Sequence, residues 1–117
     1  MEIRKDLERF IAELISEPGF EAGALATKDG ILLASELPGK VEVESFAAMS
    51  ATLLASGEEI IKQYADGNLN SIVLKGDESK FLLEEISDNI ILIARVSKEI
   101  DNELREKIDM LKTNFLK

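Results

Sequence analysis

The spacing of apolar residues along the chain predicts three helices. Apolar residues recur every three or four positions in residues 2–16 and 100–115, with charged residues between them, which is the pattern of an amphipathic helix. Residues 46–57 (FAAMSATLLASG) form an uncharged run, which we interpret as the first part of a long central helix. Gly67 suits a left-handed C-terminal cap, so we expect the central helix to end there.

Five shorter segments carry strand patterns. They are residues 20–27, 31–34, 69–75, 80–86 and 90–96. Asp29 and Gly30 predict a two-residue type I′ hairpin between the first two segments, because both central positions of that turn need positive φ. The last segment is apolar at consecutive positions, which is typical of a central strand with both faces covered.

The resulting order is α-β-β-α-β-β-β-α, in one domain that spans residues 1–117. Five antiparallel strands and three helices predict an α/β (α+β) fold, in the form of a three-layer α/β/α sandwich. The terminal helices are expected to share one face of the sheet, and the central helix to cover the other. One helix cannot cover five strands, so part of that second face is expected to stay exposed unless another molecule covers it.

The central helix has two contrasting sides. Its predicted core side carries the large apolar residues Phe46, Met49, Leu53, Ile60, Ile61 and Tyr64. The other side carries small uncharged residues, where a surface helix normally carries charge. Two explanations remain open: alanine simply favours helix formation, or another chain covers this side. We prefer association, because the small side chains permit close helix approach and the sheet is wider than one helix.

Composition narrows the possible functions. The net charge of −9 argues against nucleic acid or an anionic membrane as the main partner. The absence of cysteine and histidine argues against thiol or imidazole catalysis and the usual zinc sites. No run approaches roughly 18 apolar residues, so direct membrane insertion is not expected. Gly39-Lys40 lacks the rest of a P-loop, and the acidic pairs Glu58-Glu59, Asp77-Glu78 and Glu84-Glu85 are interpreted as solvated surface. We therefore expect a non-enzymatic, cytoplasmic protein without catalytic residues, cofactor or metal.

Several local patterns resemble one known family. They are Pro18-Gly19-Phe20, Gly23-Ala24, Asp29-Gly30-Ile31 and the run from Phe46 to Ala51. In their order and spacing they resemble the roadblock/dynein light chain family, whose fold is related to longin and profilin domains, and within it prokaryotic regulators of small GTPases. The resemblance implies dimers formed through the central helix and third strand, and a Ras-like small GTPase as partner. It leaves open a homodimer or a heterodimer with a paralogue, and whether the GTPase is activated, inhibited or tethered.

These expectations assign candidate residues to two surfaces. The dimer interface is predicted at Ala47, Ala51, Leu54, Glu58, Asn70, Ile72 and Leu74. The GTPase-partner surface is predicted at Ala48, Thr52, Ala55 and Glu59, which we call the partner ridge. The alternative function is a small-molecule sensing module with a longin/profilin-like fold, which predicts a cavity beside the small-residue strand 20–27.

Overall fold

The helices and strands follow one another in the predicted order. The computed structural model describes residues 2–37, 42–97, 99 and 101–115. The helices are α1 (Glu2–Ser16), α2 (Val43–Tyr64) and α3 (Asn102–Phe115). The strands are β1 (Phe20–Thr27), β2 (Leu32–Glu36), β3 (Ile72–Lys75), β4 (Lys80–Ser87) and β5 (Ile90–Val96). The third strand is shorter than predicted, because residues 69–71 precede it without pairing in the sheet.

One five-stranded antiparallel sheet has the order β2-β1-β5-β4-β3. The apolar strand β5 lies at its centre, as its unbroken apolar sequence predicts, and residues 91–94 are fully buried. Strands β2 and β3 form the two edges. Helices α1 and α3 cover one face, where their apolar residues share a core with Leu82 and Leu92, and α2 covers the other. The three-layer α/β/α prediction is therefore confirmed.

An ion pair between a half-buried arginine and a buried glutamate links α3 to the sheet. Glu84 of β4 is 2% exposed and accepts a hydrogen bond from the guanidinium of Arg105. This hydrogen bond raises the pKa of Arg105 against the opposing effect of partial burial. The predicted solvated surface at Glu84 is therefore wrong, since the β4 register turns this side chain towards the terminal helices.

The first hairpin is present, but its turn is not type I′. Gly30 has φ 94°, whereas Asn89 is the only non-glycine residue with positive φ in the described part of the chain, so Asp29 does not meet the type I′ requirement. The Gly30 N–H donates a hydrogen bond to the Thr27 carbonyl over 2.9 Å. A shift in register between Leu25 and Ala26 accommodates the longer turn.

Helix α2 ends earlier than Gly67. Its C-cap is Ala65, which is extended (φ −146°, ψ 174°) and whose N–H donates to the Ile61 carbonyl. Gly67 does have positive φ (94°), but it lies two residues beyond the cap. The prediction that Gly67 caps the helix is therefore wrong, because the chain leaves the helix through an extended residue.

The core side of α2 is also different from the prediction. Met49, Ile60 and Tyr64 are 65%, 58% and 81% exposed. The buried residues of the helix are Ala47, Ser50, Ala51 and Leu54. The helix is thus rotated so that its small residues face the sheet.

Candidate functional site

The buried side of α2 carries mainly small side chains, because the strand beneath it also carries small side chains. Ala47 and Ala51 share one core cluster with Ala24 and Ala26, which lie on the same face of β1. Alanines on both surfaces let the helix axis come close to the sheet, and larger side chains would hold it away. This complementarity explains which side of α2 faces inwards.

Two glycines permit contacts along the same helix. A Cβ atom on Gly30 would lie 3.1 Å from the Cα of Ala48, and a Cβ on Gly57 would lie 2.8 Å from the Cδ1 of Ile72. The first contact joins α2 to the β1–β2 turn, and the second joins it to β3. The rotation of α2 is therefore fixed on both of its flanks.

Charged contacts hold the flank of α2 near the β1–β2 turn. The Lys28 Nζ lies 3.1 Å from Glu58 Oε2 and 3.5 Å from Glu85 Oε1. The hydrogen bond that Lys28 donates to Glu58 raises the pKa of Lys28, and the negative charge of Glu85 adds to the effect. Glu58 thus has a partner within its own chain.

The opposite flank of α2 carries an apolar seam, which we define as Met49, Leu53, Ile60 and Tyr64. Spacings of four, seven and four residues place them on one side of the helix. Leu53 is half-buried against the α2 core cluster, and the other three are largely exposed. A shallow groove of about 520 Å³ runs along this part of the helix, with Met49, Leu53 and Ser56 in its lining.

The seam continues onto the sheet towards β3. Phe46 packs edge-to-face on Phe81 of β4, with ring centres 5.6 Å apart. Leu74 of β3 lies opposite Phe81 in the strand register, so its side chain is on the α2 face, where it is 42% exposed. Strand β3 is a sheet edge. An apolar surface therefore extends from α2 to an open strand edge.

Three of the four residues predicted for the dimer flank on α2 face the sheet of their own chain. Ala47, Ala51 and Leu54 are 0–6% exposed and pack on the chain's own sheet, so they offer almost no surface to a second chain. Glu58 is half-buried and bonded to Lys28. Roles for Glu58, Asn70, Ile72 and Leu74 in a dimer stay predictions; Asn70 and Leu74 are exposed and Ile72 is half-buried. The partner ridge of Ala48, Thr52, Ala55 and Glu59 is exposed, as predicted, and its partner also stays a prediction.

The apolar seam differs from the sequence-based expectation for α2, although the chain contains a signal for it. Small side chains alternate along β1 at Ala22, Ala24 and Ala26, and they leave room for a helix to approach. A helix that approaches closely must present small residues, so Ala47 and Ala51 belonged on the core side. The large residues of α2 then had to lie outside.

No cluster of three or more histidine, cysteine, aspartate or glutamate side chains is placed to hold a metal ion in the described ranges. Over those ranges, no helix has the length and apolar character needed to cross a bilayer. Strand β1 is closely packed, since a Cβ on Gly23 would lie 2.8 Å from the Cδ1 of Ile11. A groove of about 740 Å³ lies instead between α1 and β2.

Comparisons with known proteins agree with this architecture. The family model of the Roadblock/LC7 domain matches residues 6–105. A protein of Methanocaldococcus jannaschii is 26% identical over 92 residues, which cover 79% of this chain and 81% of the relative. A Roadblock/LC7 domain structure from Streptomyces avermitilis superposes with a TM-score of 0.81 at 19% identity and covers 93% of both chains. The gliding protein MglB from Thermus thermophilus superposes with a TM-score of 0.76 at 14% identity, over 97% of this chain and 85% of MglB.

Proposed function

The chain belongs to the Roadblock/LC7 family, and from this premise we propose that it is a non-enzymatic, homodimeric regulator or scaffold. It acts in the cytoplasm, where it binds a Ras-like small GTPase and modulates the nucleotide cycle or the location of that GTPase. The observation that carries this proposal is the apolar seam of α2, which continues through Leu74 to the β3 edge. A second copy of the chain can cover the helix and the edge together.

The chemistry of the seam supports a helix-to-helix contact. Met49 and Ile60 are large apolar side chains, and burying them stabilises a complex by roughly 1.5–3 kcal/mol for each fully buried side chain. Ser56 lies between them and leaves room for a neighbouring helix. At the edge, β3 can pair with β3 of the second copy, so that the two sheets form one sheet of ten strands. The twin contact therefore uses the flank of α2 opposite to Glu58.

The partner ridge is the second half of the proposal. Ala48, Thr52 and Ala55 lie beside the seam on the exposed side of α2, so a dimer would place two ridges next to each other. An arginine finger is a poor explanation for any effect on GTP hydrolysis, because Arg105 and Arg95 are ion-paired within the chain. The other two arginines, Arg4 and Arg9, lie on α1, which covers the sheet face opposite to α2. We therefore propose that the dimer acts by holding the GTPase's own switch loops.

The dimer is tested by the variant Met49→Glu. Met49 is largely exposed, so a charge there leaves the fold intact while it opposes burial against a twin. Light scattering at micromolar concentration should give a dimer for the wild type, and dissociation should become at least tenfold easier in the variant, about 1.4 kcal/mol. The control Glu59→Lys changes the charge of the ridge and should stay dimeric. A monomeric wild type, or an equally tight Met49→Glu dimer, contradicts this interface.

The GTPase is tested by co-purification with a small GTPase encoded in the same genome. We expect binding that depends on whether GDP or a GTP analogue is loaded. The variant Ala55→Arg should lose this binding while it remains a dimer, since Ala55 is exposed on the ridge. Equal binding of Ala55→Arg and the wild type would remove the ridge from the proposal.

A further inference from the structure

The second edge of the sheet has features that the dimer does not use. Strand β2 is the outermost strand on the side away from β3. It runs beside the first half of α1, and the groove of about 740 Å³ lies between them. Ile31, next to the start of the strand, is 62% exposed. An open strand edge thus adjoins the groove, and an exposed isoleucine immediately precedes that strand.

Strand β2 has little protection against pairing with another strand. Its sequence, LLASE, contains no proline or lysine, and its only charged residue is the last one, Glu36. Natural sheet edges commonly carry proline, lysine or other charged residues that prevent further pairing. Without them, the unpaired backbone N–H and C=O groups of an edge can accept another strand. Five residues at about 3.3 Å each can pair with a peptide segment of similar length.

The charged residues that line the groove favour an acidic peptide segment over a basic one. The lining contains three basic residues, Arg4, Lys5 and Arg9, and two acidic ones, Glu8 and Glu36. The whole chain has 14 basic and 23 acidic residues, so the groove is locally positive on an acidic molecule. Acidic side chains are therefore attracted here and repelled by much of the remaining surface.

The floor of the groove is apolar. Ile11, Ala12, Leu33 and Ala34 contribute to its lining. An extended peptide paired with β2 presents alternate side chains to opposite faces of the sheet, so the set on the α1 face lies over this floor and its carboxylates can reach the basic residues of α1.

We propose that the groove between α1 and β2 binds an extended acidic segment of a protein partner, which adds a strand to the edge of β2. Backbone hydrogen bonds to β2 supply affinity, and Arg4 and Lys5 supply selectivity for carboxylates. This site lies at the opposite sheet edge from the twin contact, so it operates in a monomer or a dimer.

The test uses a fluorescein-labelled hexapeptide that alternates glutamate and valine, titrated against the full chain at about 0.15 M salt. At this ionic strength charges more than about 8 Å away are largely screened. We expect saturable binding, and at least tenfold weaker binding by the double variant Arg4→Glu, Lys5→Glu. The matched control Lys62→Glu, Lys75→Glu makes the same change in net charge at exposed sites outside the groove and should change affinity less than twofold. A peptide that alternates lysine and valine should not bind.

Hydrogen exchange locates the peptide. Amides of residues 32–36 should become protected when the acidic peptide is added. No binding, equal binding by the groove variant and the wild type, or protection at β3 instead of β2 would overturn the proposal. A different outcome would replace the peptide by a membrane surface. In that case the wild type binds phosphatidylserine vesicles but not the peptide, and the double variant Arg4→Glu, Lys5→Glu loses the vesicle binding. None of these measurements depends on a GTPase or on the dimer.

Discussion

At the scale of single residues, two glycines share a backbone angle but have different surroundings. Gly30 and Gly67 both have φ 94°, a region that L side chains rarely adopt. A Cβ on Gly30 would press on the α2 backbone at Ala48, whereas a Cβ on Gly67 would meet nothing within 4 Å. Of these two glycines, Gly30 alone combines a conformational requirement with a tight helix contact.

The pair separates the two effects experimentally. Gly67→Ala should lower the free energy of unfolding by about 1 kcal/mol, which is the cost of the backbone angle alone. Gly30→Ala should lower it by about 2–3 kcal/mol, because the helix backbone must also move away from the turn. Urea unfolding followed by circular dichroism measures both. Equal losses for the two variants would show that the contact with α2 is easily relieved.

At the scale of elements, the sequence predicted α2 correctly as a helix but oriented it wrongly. Existence, order and approximate bounds follow from local periodicity, which is why β5 was correctly placed at the centre of the sheet. The rotation of α2 depends on the strand below it, because both sides of the helix carry apolar residues and only one matches the small surface of β1. The turn type at Gly30 and the burial of Glu84 likewise depend on neighbours that are distant in sequence.

The two sides of α2 predict opposite outcomes for the same substitution. Ala51→Glu places a carboxylate in the buried interface with β1, and it should lower the free energy of unfolding by about 3 kcal/mol or more. Ala55→Glu, one turn further along, lies on the exposed side and should change it by less than about 0.5 kcal/mol. Thermal melts of both variants test the orientation. A stable Ala51→Glu that is merely monomeric would restore the interface predicted from the sequence.

At the scale of the whole molecule, the two open edges of the sheet differ in their surroundings. The β3 edge adjoins the apolar seam of α2, which suits a permanent contact with a twin. The β2 edge adjoins a groove with basic walls, which suits an exchangeable acidic segment. The central strands between these edges are buried by three helices, so the chain can offer both edges without exposing its core.

Pairing of the β3 edge with a second copy of the chain depends on protein concentration. Outward-facing amides of residues 72–75 should exchange at least tenfold more slowly at high than at low protein concentration, as the dimer forms and hydrogen-bonds them. Met49→Glu should abolish this dependence by disrupting the neighbouring helix contact. Amides of residues 32–36 provide an internal control, since the β2 edge lies across the sheet and should not respond to concentration. Light scattering could give a dimer while the exchange rate of the β3 amides does not change with concentration. The two chains would then contact each other through the α2 seam without strand pairing, and the dimer would contain two separate five-stranded sheets instead of one ten-stranded sheet.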